Sequence, residues 1–223
     1  TGEKNTSIGL GSLQNNTTAD NNTAAGYQAL TSNTTGDRNV AVGSAALDAN
    51  TTGTKMVAMG HEALTAATTA TDCTCIGAFS GMSITTGGSN TGLGSASLES
   101  TTTAANNTAI GGGTLQQNTT GNSNTAVGKG ALNSNTTASF NVGIGFGSLT
   151  TNTEGTRNTG VGYNSLEANT TGNDNSGVGK DALVANTTGN RNTALGTEAL
   201  KSCTTASNNV AIGRAALDAS TTT

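Results

Sequence analysis

The chain has no tryptophan and no proline, and of its 223 residues only three are phenylalanine and two tyrosine. A globular domain of this length fills one core with large side chains, so this composition excludes an ordinary globular core. Charge is equally scarce. Nine Lys and Arg stand against thirteen Asp and Glu, a net charge of −4. Such a balance supplies no basic footprint, so no nucleic-acid partner is expected. No run of 18 apolar residues occurs, so no membrane span is expected either. No signal peptide is visible, and the chain starts and stops mid-pattern without polar caps. Stacked repeats need capped ends to stay soluble, which predicts a segment of a longer array or fibre.

Cysteine is also rare, and the three present do not form a disulfide framework. Cys73 and Cys75 sit two apart, on one face of a strand, too splayed for a normal bridge. Cys203 lies so many coils away that, at roughly 4.8 Å per coil, no bridge to it forms. With His61 the only histidine and placed elsewhere, a metal site lacks its ligands. The three thiols read as small buried hydrophobes, and no cofactor or metal is expected.

What the sequence has is a period. The pentapeptide Asn124-Thr125-Ala126-Val127-Gly128 recurs as NTSIG, NVAVG, CTCIG, NTGLG, NVGIG and similar forms along the whole chain. Its closing glycine falls at Gly9, Gly26, Gly43, Gly60, Gly77, Gly94, Gly111, Gly128, Gly145, Gly162, Gly179, Gly196 and Gly213, seventeen residues apart each time. Abundant Gly, Asn, Ser and Thr would suit a disordered chain, but disorder gives no reason to hold Leu and Val at fixed positions. A chain that winds one coil per repeat does. The expected fold is all-β, a parallel β-solenoid of thirteen 17-residue coils, forming one array over residues 1–223.

Numbering each repeat from Thr1 separates its seventeen positions by chemistry. Charge occurs only at positions three, four, ten, eleven and fourteen, and once at position one, Glu154. Position eight runs Ile8, Ala25, Val42, Met59, Ile76 and onward as aliphatic residues, while position six is Thr, Val or Ser and position seven only Ala, Gly, Ser or Cys. This β-branched stretch predicts a strand whose positions six and eight share one face and seven the other. Position seven never exceeds Cys in size, which predicts close approach by a returning strand or by a neighbouring chain. Position thirteen is Leu in twelve of the repeats and marks that second, returning strand.

The invariant glycine predicts a turn of positive φ at position nine. Asn at position five (Asn5, Asn22, Asn39, Asn90, Asn107, Asn124, Asn141, Asn158, Asn175, Asn192 and Asn209) predicts an amide ladder from coil to coil. Thr fills position seventeen in every repeat: Thr17, Thr34, Thr51, Thr68, Thr85, Thr102, Thr119, Thr136, Thr153, Thr170, Thr187, Thr204 and Thr221. These are candidate glycan acceptors, with a plain hydroxyl ladder as the alternative. Asn-x-Thr acceptor patterns recur beside them, for example at Asn33, Asn118 and Asn169. The repeat at 69–85 departs from the pattern, with Cys73 in the Asn ladder, Gly81 for Leu and Ile84 near its end, so an irregular coil is expected there.

The NTAIG and NVAVG cores, with segments such as Tyr27-Gln28-Ala29-Leu30, resemble the head repeats of trimeric autotransporter adhesins and the repeats of phage and bacterial tail-fibre proteins. The resemblance covers all thirteen repeats. It implies a β-roll, assembly of several chains, and an extracellular, cell-surface or virion-surface setting.

For chemistry, the stacked pair Asp181 and Glu198 and the row Glu3, Asp20 and Asp37 are the best candidates for acid–base work or a hard cation. Each has basic neighbours, and solvated surface charge is the simpler reading. The expected function is therefore a non-catalytic extracellular fibre or filament whose partner is itself. A shaft binding a receptor or glycan is the alternative, and an ice-binding solenoid, suggested by the Thr ridges, a further one.

Overall fold

The computed structural model describes residues 2–218, so Thr221 lies outside the described residues. Each repeat contributes one three-residue strand at positions six to eight, and no helix occurs among the described residues. The protein is the expected parallel β-solenoid, with one strand per seventeen residues. Parallel neighbours need a crossover of a dozen or more residues. The fourteen residues left over from each repeat (seventeen minus three) supply it as a wound loop instead of a helix.

Two compact units divide the chain, one up to Gly112 and one from Gly113. The first holds β1 (Thr6–Ile8) to β7 (Thr108–Ile110), parallel and in sequence order. Thr6 stands opposite Thr23, and Thr91 opposite Thr108. The second holds β8 (Thr125–Val127) to β13 (Val210–Ile212), ordered in the same way, with Thr125 opposite Val142 and Thr193 opposite Val210.

Hydrogen bonding between coils extends well past the strands. The Gly26 amide donates to the Ile8 carbonyl at 2.8 Å, Leu30 to Ala46 at 3.0 Å and Thr34 to Thr51 at 3.0 Å. The loop backbone thus meets its obligation to pair on the neighbouring coil, as a helix would meet it internally.

Turns are built on positive φ, as position nine predicted: every one of the thirteen glycines there has φ between 118° and 147°. Elsewhere the structure differs from expectation. Position thirteen begins no returning strand. Its leucines lie in left-handed turns, for instance Leu132 at φ 51° and Leu166 at φ 55°, and positions four and eleven turn the same way. Leu has no local preference for this conformation; closing a coil in seventeen residues requires it, and burial of the side chain offsets the strain. These leucines are among the largest fully buried side chains.

The interior is thin. Leu at position thirteen fills it together with small residues at positions two, seven and twelve and the asparagines at five and sixteen. Position seven therefore points inward, and the close neighbour it anticipated is the turn of its own solenoid: a β carbon on Gly143 would lie 3.3 Å from Leu132. At 69–85 the irregularity lies in the side chains. The strand Thr74–Ile76 keeps the register of both neighbours. Cys73 and Ile84, with Met56 and Ala67 of the preceding coil, form a buried apolar plug where other coils carry polar ladders, and Cys75 packs in the same core.

Candidate functional surfaces

With position seven inside, the aliphatic residues of position eight point outward. Met59 is 40% exposed and Leu195 47%, and Ile76, Ile110 and Ile144 are comparable. Positions six and eight carry no charged residue in any repeat. Each unit therefore presents an uncharged strip of Thr, Val and Ile to solvent, which a chain so poor in hydrophobic residues has little reason to expose.

The predicted asparagine ladder exists, and most of its members are completely buried. Asn158 shows its wiring. Its Oδ1 accepts from the Asn175 amide at 3.0 Å, while its Nδ2 donates to the Gly172 carbonyl at 2.7 Å. Position five thus ties side chain to the backbone of the next coil. A second ladder at position sixteen ties amide to amide, with Asn169 Nδ2 donating to Asn152 Oδ1 at 2.8 Å and Asn186 to Asn169 at 2.8 Å. The nitrogens of Asn33, Asn118 and Asn169, which an N-linked sugar would require, are buried and bonded to carbonyl oxygens.

The threonines of position seventeen use their oxygens in the same way. Thr34 Oγ1 donates to the Thr51 carbonyl at 3.0 Å, Thr136 to Thr153 at 3.2 Å and Thr170 to Thr187 at 3.1 Å. The adjacent position one, with Thr35, Thr52, Thr69 and Thr137, is the exposed ridge.

Four of the five acidic candidates have partners of their own. Asp20 Oδ1 accepts the Glu3 amide at 2.6 Å and Asp37 Oδ1 the Asp20 amide at 2.7 Å, so these carboxylates brace turns. Asp181 lies 3.5 Å from Lys180, and Glu198 pairs with Lys201 at 3.0 Å, a hydrogen bond that holds the glutamate below its usual range. Likewise the Arg157 guanidinium, 2.6 Å away, lowers Asp174. Among the described residues no group of three or more His, Cys, Asp or Glu is placed to hold a metal ion. His61 sits edge-on to Phe79, ring centres 5.3 Å apart. All three cysteines are free and buried, and loss of water around Cys75 pushes its thiol up to about 12.

One concavity was not anticipated. In the second unit a groove of about 330 Å³ runs over three successive coils, between a ridge of Lys129, Phe146 and Tyr163 and a ridge of Asn133, Thr150 and Glu167. Gly130 and Gly147 line its base. Its sequence signal is the run of glycines at position eleven, Gly113, Gly130 and Gly147, beside two aromatic residues seventeen apart. No helix among the described residues is long and apolar enough to cross a membrane. Compared with protein-family models and with curated proteins, the chain matches none of either.

Proposed function

We propose that the protein is a structural, non-catalytic element of an extracellular fibre, a stacked-coil shaft that associates with further copies of itself through its outward sheet face. The observation that carries this reading is the charge-free strip at positions six and eight, with Ile76, Ile110 and Ile144 more than a third exposed. A second copy is the partner that fits. Its own strip repeats at the same strand spacing of about 4.8 Å, is equally uncharged, and can meet the first ridge for ridge along its length. Charged residues occur at six positions of the repeat, among them the exposed positions four and ten; on this strip they never occur.

Sedimentation velocity tests the reading. Wild-type protein is expected to associate, and the double variant Ile76→Lys/Ile144→Lys to run as a monomer with unchanged circular dichroism. A monomeric wild type, or a double variant that associates equally well, overturns it.

The receptor- or glycan-binding alternative is favoured by the groove beside Phe146 and Tyr163. Covalent glycans are better suited to the exposed threonines of position one than to those of position seventeen, whose hydroxyls donate between coils. The same engagement counts against position seventeen as an ice-ordering ridge.

A further inference from the structure

We propose that the groove over Gly130 and Gly147 is a saccharide-binding site whose ligand is a pyranose unit of a neutral glycan. This goes beyond the scaffold role and does not depend on it, because no residue of the groove lies on the apolar strip.

The first wall is apolar. Phe146 and Tyr163 stack with ring centres 5.6 Å apart and planes 11° from parallel, and about half of each side chain faces solvent. In a chain with five Phe and Tyr altogether (three plus two), two of them meet at this one exposed place. Exposed aromatic surface gains free energy when a ligand with apolar faces covers it.

The base is open where the coil does not need it to be. Position eleven carries Gln28, Glu62 and Glu198 in coils outside the groove and Asn164 in its third coil, all in the left-handed conformation that Gly130 also has. A β carbon on Gly130 would meet nothing within 4 Å, whereas one on Gly147 would run into Asn164 Oδ1. Gly130 therefore answers no packing demand, and its effect is depth.

The second wall is polar and fixed. Asn133 Nδ2 donates to the Gly113 carbonyl at 2.9 Å and to Gln116 Oε1 at 3.0 Å, which leaves the Asn133 oxygen to accept. Thr150 is held by its hydroxyl on the Gly147 carbonyl at 2.7 Å. Glu167 and Lys129, on opposite ridges, take part in none of the ion pairs among the described residues.

The combination selects a chemistry. A purely apolar ligand would desolvate Glu167 and Lys129 without pairing them. A phosphate would face the Glu167 carboxylate, and an organic cation the Lys129 ammonium. A sugar satisfies both, since each hydroxyl donates to a carboxylate or accepts from an ammonium in charge-assisted bonds while its C–H surface lies on the rings.

The experiment is a titration followed by saturation-transfer NMR and tyrosine fluorescence, using neutral tetrasaccharides of glucose, mannose, galactose and xylose. Glucose 6-phosphate and toluene serve as the charged and apolar comparisons. Saturable binding of at least one tetrasaccharide is expected, weakened about tenfold or more by Tyr163→Ala. Gly130→Asn, which fills the base in a conformation Asn164 already adopts, should abolish it with circular dichroism and sedimentation unchanged. The proposal falls if no tetrasaccharide saturates, if Gly130→Asn binds as wild type does, or if either comparison compound binds more tightly. A monomeric wild type leaves it standing.

Discussion

Ser148 of one coil donates its hydroxyl to the carbonyl of Gly160 in the next, at 2.9 Å, and occupies the place where a β carbon on Gly160 would come within 2.5 Å. Ser165 and Gly177 repeat the relationship, and Ser80 and Gly92 supply a third case in the first unit. In other coils Ala182 is followed by Ala194 and Ala199 by Ala211, though Ser97 is followed by Ala109 and Ala131 by Gly143. At Gly92, Gly160 and Gly177 the serine hydroxyl takes up the space a β carbon would fill.

Gly160→Ala alone is therefore expected to destabilise the second unit by about 1–3 kcal/mol through overpacking. Adding Ser148→Ala should restore most of that loss, because the double variant reproduces the Ala pair found elsewhere. Urea unfolding of the four proteins in the cycle measures the coupling; strictly additive effects would contradict it.

The turn glycines divide into two kinds. Gly162 has φ 138°, and a β carbon there would run into the Gly179 carbonyl; Gly162→Ala should cost about 2 kcal/mol or more. Gly130 at φ 71° has open space, and Ala45 and Ala96 hold the same position in other coils. Gly130→Ala should stay within about 1 kcal/mol of wild type. Thermal midpoints of the two variants separate the cases directly.

Removing one rung of the asparagine ladder strips a buried backbone amide of its acceptor. In Asn158→Ala the Asn175 amide loses the bond now at 3.0 Å, while the Gly172 carbonyl loses one donor at 2.7 Å and keeps Asn169 Nδ2 at 3.0 Å. A cost of about 1–3 kcal/mol is expected for the one unsatisfied group. Hydrogen exchange should accelerate first at residues 172–175.

The buried thiol makes stability fall with alkalinity. Burial raises Cys75 from its ordinary 9.0 to about 12, so the folded state keeps its proton while the unfolded state loses it. The contribution is intact below about 9 and is lost as pH rises from there toward about 12, by up to about 1.4 kcal/mol per pH unit. Cys75→Ala, matching Ala58 of the preceding coil, should flatten that part of the pH profile. Iodoacetamide should label Cys75 only after unfolding.

Much of this architecture is legible from one chain because the repeat displays it thirteen times. The invariant glycines marked positive φ, the asparagines marked a ladder, and the absence of charge at positions two, five, seven, twelve, thirteen and sixteen went with burial, while positions six and eight, equally uncharged, face solvent in part. Strand alternation also set positions six and eight against position seven, a consequence of the two-residue period of any strand.

Which face turned inward was a matter for the third dimension. The aliphatic face would be the ordinary choice for a core, yet Ala126 is buried while Leu195 and Ile144 are partly exposed. The reason is volume: Leu132 and its equivalents already cross the narrow coil, leaving room opposite for nothing larger than Ala or Cys. The left-handed leucines were equally invisible, since no local preference of Leu favours that turn and only closure of the coil imposes it. The groove, too, depends on residues at positions ten, eleven and fourteen of three coils, brought side by side by winding and in no way adjacent in the chain.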